Sequence, residues 1–235
     1  MSHDTEAFRS RYRAEISPWY NAWLHGGFVL LFGMAVLLFL VSRIGHVRGW
    51  EWLAIPAAAL LFNWGEYSVH RRYGHHKHRL GALFYKRHTG DHHSFFDETR
   101  MPYEQSRDWR VIFFPAWLIV LYCALGVLPA YWLVSRFNEN VAALIASTLV
   151  AGYLTYEVFH SCEHLPPGHW FAKLPWIRHM RQLHRLHHRR ELMHTRNFNL
   201  VVPLMDWLFG TLYWEPIAPE QRPPGVVPTR IGIEP

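Results

Sequence analysis

Long, largely apolar stretches alternate along this chain with polar, histidine-bearing ones. The first apolar stretch runs from Ala22 to Ser42. An α-helix rises about 1.5 Å per residue, so some twenty such residues cover the about 30 Å of bilayer hydrocarbon. The stretch is too long for a cleavable signal peptide, and no small-residue cleavage site follows it. A second runs from Trp50 to Tyr67, with a short charge-free middle and Glu66 at its end. A third, Val111 to Val134, carries Pro115 and Pro129, which predicts either a kinked span or a re-entrant pair. The fourth, Val141 to Phe159, leads directly into His160. The pattern predicts four membrane-spanning helices in residues 22–215, a cytosolic segment over 1–21 and an irregular, proline-rich tail over 216–235.

Four spans put both termini on one side. Of the 24 Lys and Arg residues, only Arg43, Arg48 and Arg136 fall in the two short loops between spans one and two and between spans three and four. The rest lie in 1–21, in the long 68–110 loop and after residue 162, which assigns those regions to the cytoplasm. The net charge of +6 therefore reads as membrane topology and contact with anionic headgroups, not as nucleic-acid binding. A chain of 235 residues suits one domain.

Histidine changes the picture most. Fifteen of its 18 copies fall within 70–93 and 160–194. The two cysteines, Cys123 and Cys162, lie in apolar stretches and read as small buried hydrophobes, which excludes a thiolate metal site. The histidines form four clusters on the predicted cytoplasmic side: His70 and His75; His88, His92 and His93; His160 and His164; His184, His187 and His188. On an α-helix, positions i and i+4 lie about 40° apart, so His160 and His164 share a face, as do His184, His187 and His188. His88 and His92 share a face while His93 points away. His70 and His75 diverge by about 140°, so that pair needs a bend at Gly74 or two different ions. His76 and His78 read as solvated, with either an alternative to His75. His76 is also an alternative to His88. His3, His25 and His46 are isolated, and His169, His179 and His194 read as structural.

Neutral imidazole suits iron, zinc, copper and nickel, and one ion takes four to six ligands. Ten imidazoles thus predict two ions, brought together where the helices close on one another. A metal-bound His donates its second ring N–H to an acceptor, and Glu66 and Glu157 are placed to be such acceptors. The alternative for both is an interfacial carboxylate paired with an arginine. Asn197 and Asn199 are candidates to hydrogen-bond a metal-bound water.

Taken in order, HRRYGH (70–75), HTGDHH (88–93), HSCEH (160–164), HRLHH (184–188), NFN (197–199) and DWLFGT (206–211) resemble the fatty acid hydroxylase / sterol desaturase superfamily over roughly residues 60–214. The resemblance implies an all-α, integral membrane four-helix bundle with a cytosolic helical cap that carries a histidine-bound dimetal site. It implies His70, His75, His88, His92, His93, His160, His164, His184, His187 and His188 as the ligands of two iron ions, which zinc or another divalent metal can replace in a purified sample. It also implies O₂-dependent oxidation of a lipid C–H bond. The chain departs from many members in having three residues, not two, between His88 and His92. It carries no haem-binding electron-transfer domain, so a separate protein is expected to supply electrons. Hydroxylation of a lipid drawn from the bilayer is the expected reaction. Desaturase or ketolase chemistry on the same centre is the alternative, and a membrane metal transporter is the alternative of a different class.

Overall fold

The structure, a computed structural model, describes residues 4–216. His3 and all but the first residue of the 216–235 tail lie outside the described residues.

Helix α1 (Thr5–Glu15) begins where Asp4 accepts the Ala7 N–H, and α2 (Ala22–Val41) where Asn21 accepts that of Leu24. These side chains satisfy donors that the first turn leaves without partners. α3 (Ala54–Val69) passes without a break into a π-helical turn, His70–Gly74. α4 (Ala82–Tyr85) does the same into Lys86–His92 and then α5 (His93–Phe95). α6 (Trp109–Ile112) stops at Phe113, two residues before Pro115. α7 (Trp117–Leu121), a π-turn (Tyr122–Val127) and α8 (Leu128–Ser135) follow, with Pro129 in the first turn of α8. α9 (Glu139–Glu163) is capped by Asn138, α10 (Pro175–His187) starts on proline, and α11 (Leu204–Leu208) is a single short turn.

Among the described residues there is no strand, and three helical stretches are long and apolar enough to cross a membrane: Ala22–Val41, Ser106–Ser135 and Glu139–Glu163. The third predicted span is therefore a broken helix rather than a smooth one. The second corresponds to α3, whose 16 residues cover only about 24 Å. α3 nevertheless starts level with α9. Asn138 and Asn140 donate to the Glu51 carboxylate at 2.7 and 3.1 Å, and Arg43 pairs with Glu139 on the same face. Both helices then end in histidine at the opposite face.

α9 is the central helix and packs against α2, α3 and α8. Val29, Leu40, Ile119, Val150 and Leu154 form the buried core between them. Two glycines set the helix separations. A Cβ at Gly33 would lie 2.5 Å from Leu154, and one at Gly152 would lie 2.7 Å from the Phe62 ring. Small residues at such crossings let helices approach closely where no hydrophobic effect drives them together. On the outside, Leu24, Leu31 and Leu125 are each more than 70% exposed, as suits a surface facing hydrocarbon. Cys123 and Cys162 are buried and free, as their surroundings predicted.

Candidate metal centre

The histidines converge at the end of the bundle where α3 and α9 finish. Ring nitrogens of His70, His75, His88, His93 and His187 lie within 4.8 Å of one another, and so do those of His92, His164, His184 and His188. All nine are buried. The tenth, His160, stands beside the second group, its Nε2 3.2 Å from Nε2 of His92. The groups adjoin, with the His93 and His188 rings stacked at 4.2 Å.

Local backbone explains which ring goes where. In a π-turn the hydrogen bond runs from i to i+5, so residues five apart come onto one face. The π-turn at 70–74 brings His70 and His75 together, Nε2 to Nε2 at 3.2 Å. The π-turn at 86–92 does the same for His88 and His93 at 3.1 Å, and it sends His92 to the other group. This corrects the α-helical reading, in which His88 paired with His92 and His93 pointed away. Gly74 lets the first turn close: a Cβ there would lie 2.9 Å from the His88 ring and 3.2 Å from that of His70. On α10, ordinary α-geometry places Nε2 of His184 and His188 2.8 Å apart and sends His187 to the first group.

The outer ring nitrogens are held mostly by backbone. Nδ1 of His70, His92, His164, His187 and His188 lies 2.5–3.0 Å from the carbonyls of Phe198, Val111, Met101, Arg196 and Phe96 respectively. A carbonyl only accepts, so each Nδ1 carries the proton. Nδ1 of His184 faces the Glu163 carboxylate. Nδ1 of His75 lies 3.3 Å from the Thr89 hydroxyl, which donates its own proton to the Gly74 carbonyl.

Burial holds these rings neutral. It pushes His70 down to about 4, against the Phe198 carbonyl, which favours the protonated form. It also pushes His75, His88, His92, His93, His164, His184, His187 and His188 well below the usual histidine value, with neighbouring imidazoles adding to the shift. A neutral ring with its proton on Nδ1 presents a lone pair at Nε2. Nε2 atoms of His75 and His187 are 2.9 Å apart, and those of His184 and His188 are 2.8 Å apart. Two lone pairs at that distance repel and cannot form a hydrogen bond. The buried Nε2 of His164 has no partner at all. Two ligands about 2.1 Å from one ion and at right angles to each other are about 3.0 Å apart. The donor set, its spacing and its charge state therefore fit bound metal ions.

The carboxylates do not take the predicted places. Glu66 accepts from the backbone N–H of Leu200 at 2.6 Å and Val201 at 3.3 Å and from the Asn199 amide, so it braces a loop and meets no imidazole. Glu157 is buried near Tyr153, and no histidine donates to it. Glu163, which the sequence reading passed over, is the carboxylate against a ring. Its position inside HSCEH, next to His164, was the available signal. Asn199 spends its amide on the Asn63 carbonyl and Glu66, and Asn197 donates to the Leu183 and Tyr213 carbonyls. Both clamp backbone, and neither side chain is free for a metal-bound water. Asn197 adopts φ 56°, a conformation asparagine tolerates better than most residues.

The sequence reading quoted Asp206 within DWLFGT but gave it no role. Fully buried, it accepts from the backbone N–H of Phe198 and Asn199 and from the Thr211 hydroxyl. It thereby fixes the loop whose Phe198 carbonyl holds His70. α1 closes the opposite side. Arg9, 2% exposed, lies over the Phe95 ring at 4.8 Å and donates to the Pro102 carbonyl, beside the Phe96 ring that packs on His164. His76, His78 and His194 stay outside both groups.

A family model described as fatty acid hydroxylase matches residues 55–211, and the chain belongs to that family. The match takes in all ten of these histidines. No curated protein and no solved structure matches the chain.

Proposed function

We propose that this member of the fatty acid hydroxylase family hydroxylates a C–H bond of a membrane lipid at two iron ions, one held by each histidine group. The observation that carries the reading is that His70, one of the converging buried imidazoles, lies at the inner end of an apolar cavity. That cavity, of about 720 Å³, runs from Glu66, His70 and Phe114 along α3 and α9 to Leu125 and Gly126. Its size suits a lipid-sized ligand, and nearly all of its lining is apolar.

The chain's residues divide the work. His70, His75, His88, His93 and His187 hold one ion, and His92, His160, His164, His184 and His188 hold the other. Backbone carbonyls and Glu163 keep His70, His92, His164, His184, His187 and His188 in the tautomer that ligates. Phe62, Phe84 and Phe114 line the route and exclude water, and the exposed Leu61 and Trp64 open it toward the bilayer. Iron bound to these rings would supply the reductive activation of O₂ that attack on an unreactive C–H bond requires, which no side chain can provide. A separate carrier supplies the electrons. In this reading α3 is the fourth crossing, and the histidines face the cytoplasm with both termini, as the distribution of Lys and Arg predicts.

Mass spectrometry of lipids incubated with the reduced, iron-loaded protein under labelled O₂ tests the reaction. One labelled oxygen added to a lipid is the expected product. Loss of two hydrogens without added oxygen would assign desaturation instead, and no change in any lipid would refute the proposal.

A further inference from the structure

We propose that the lipid oxidised by this protein carries an anionic headgroup, bound by Arg71 and Arg72 in a second cavity that joins the first across Gly65. The proposal rests on reading the histidine site as a lipid oxidase.

The second cavity, of about 570 Å³, lies where α3 passes into its π-turn and is bordered by Ser68, Arg71, Arg72, Tyr73 and His76. Trp64, Gly65 and Val69 line both cavities. Between the bulky Trp64 and Val69, the wall drops at Gly65, where an added Cβ would meet nothing within 4 Å. An acyl chain lying over this saddle passes from the arginines into the cavity that reaches His70, with no side chain to displace.

The residues at the saddle match the two halves of an amphiphile. Arg71 is held in place by donating to the Tyr67 hydroxyl at 2.7 Å, and its guanidinium lies 5.7 Å from the centres of the Tyr67 and Phe198 rings. Among the described residues, neither Arg71 nor Arg72 forms an ion pair, so both charges are available to a ligand. His76 Nδ1 lies 2.9 Å from the Arg71 carbonyl, which ties the far rim to the same turn. Trp64 and Val69 are 50% and 41% exposed at the same end of α3. Tryptophan there marks the headgroup layer, where paired guanidinium groups recognise phosphate. A free phosphate ion would have no use for the apolar saddle, whereas a phospholipid fills both parts.

The test uses the purified full-length protein in detergent. Calorimetry compares short-chain phosphatidylglycerol with phosphatidylcholine of the same acyl chains, and with inorganic phosphate. Phosphatidylglycerol is expected to bind about tenfold tighter than phosphatidylcholine, with phosphate far weaker than either lipid. Arg72→Gln should erase the preference, while Arg79→Gln, which removes an exposed cation outside the cavity, should preserve it. Equal affinity for the two lipids overturns the proposal. So does equal loss in the two variants, or phosphate binding as tight as that of phosphatidylglycerol. Oxidation is read separately in the same preparations. Gly65→Leu should keep the headgroup preference and lower oxidation about a hundredfold, by displacing the chain from His70. Undiminished oxidation in Gly65→Leu overturns the passage across the saddle. Oxidation without headgroup preference sinks the headgroup site alone. Headgroup preference with no oxidation of any lipid sinks the reading of the site as an oxidase.

Discussion

The two histidine groups sit side by side but are built by different backbone. The first takes two pairs, His70 with His75 and His88 with His93, from residues five apart on π-turns. The second takes His184 and His188 from residues four apart on an α-helix. A π-turn is rare because it gives up the tighter α-helical packing, and it recurs where function repays that loss. Here it does what an α-turn cannot, aiming two rings five residues apart in one segment at one point. It also sorts adjacent residues, so that His92 and His93 serve opposite groups, as do His187 and His188. The lesson is that ligand spacing has meaning only together with the helix type that carries it.

Substituting a ligand from each group sharpens the contrast most. His75→Ala and His164→Ala should each abolish lipid oxidation, and metal analysis should find about one ion per chain instead of about two. Retention of both ions in either variant would break the division into groups. The next effect comes from the residues that hold the rings. Glu163→Gln should weaken the ion of the second group by about 10–100-fold, and Asp206→Asn the ion of the first to a similar extent, both measured by competition with a chelator. Equal loss of both ions in both variants would contradict the separate supports described for each group. Gly74→Ala tests the π-turn itself. Overpacking against the His88 and His70 rings should cost about 1–3 kcal/mol in denaturant unfolding and lower occupancy of the first group alone. The smallest effect belongs at the far face of the bundle. Arg43 and Glu139 are both about half exposed, so Arg43→Gln should change stability by less than about 1 kcal/mol and leave metal content unchanged.

Much of this was legible from the chain. The first apolar stretch became α2 to within a residue, and the fourth became the middle of the longer α9, because apolar runs of that length have few alternatives. The histidine clusters were recognisable as candidate ligands by their concentration and by their order among the other motifs. The partition into two groups was not legible, since it depends on π-turns that an α-helical wheel assigns to the wrong face. Nor was the service of Phe198, Arg196 and Phe96 as acceptors, because a backbone carbonyl has no signature in side-chain identity. Glu66 and Glu157 drew attention as carboxylates near the bilayer, while Glu163 was hidden inside a motif already read for its histidines. Asp206 stands far along the chain from the ring it indirectly supports. α3 was expected as the second of four spans, but its partnership with α9 at both ends was invisible in a stretch so short.

The clamp formed by Asp206 has a consequence for how the protein is made. His70 leaves the ribosome long before residue 206 is added, yet the Phe198 carbonyl that orients its ring is fixed only when Asp206 and Thr211 are in place. The helices can enter the bilayer in order of synthesis, whereas the first histidine group lacks the finished support of His70 until the chain has been made past Thr211. Completion of the first group is thus a late step of maturation, and a chain cut short before Asp206 would lack the carbonyl support that orients His70.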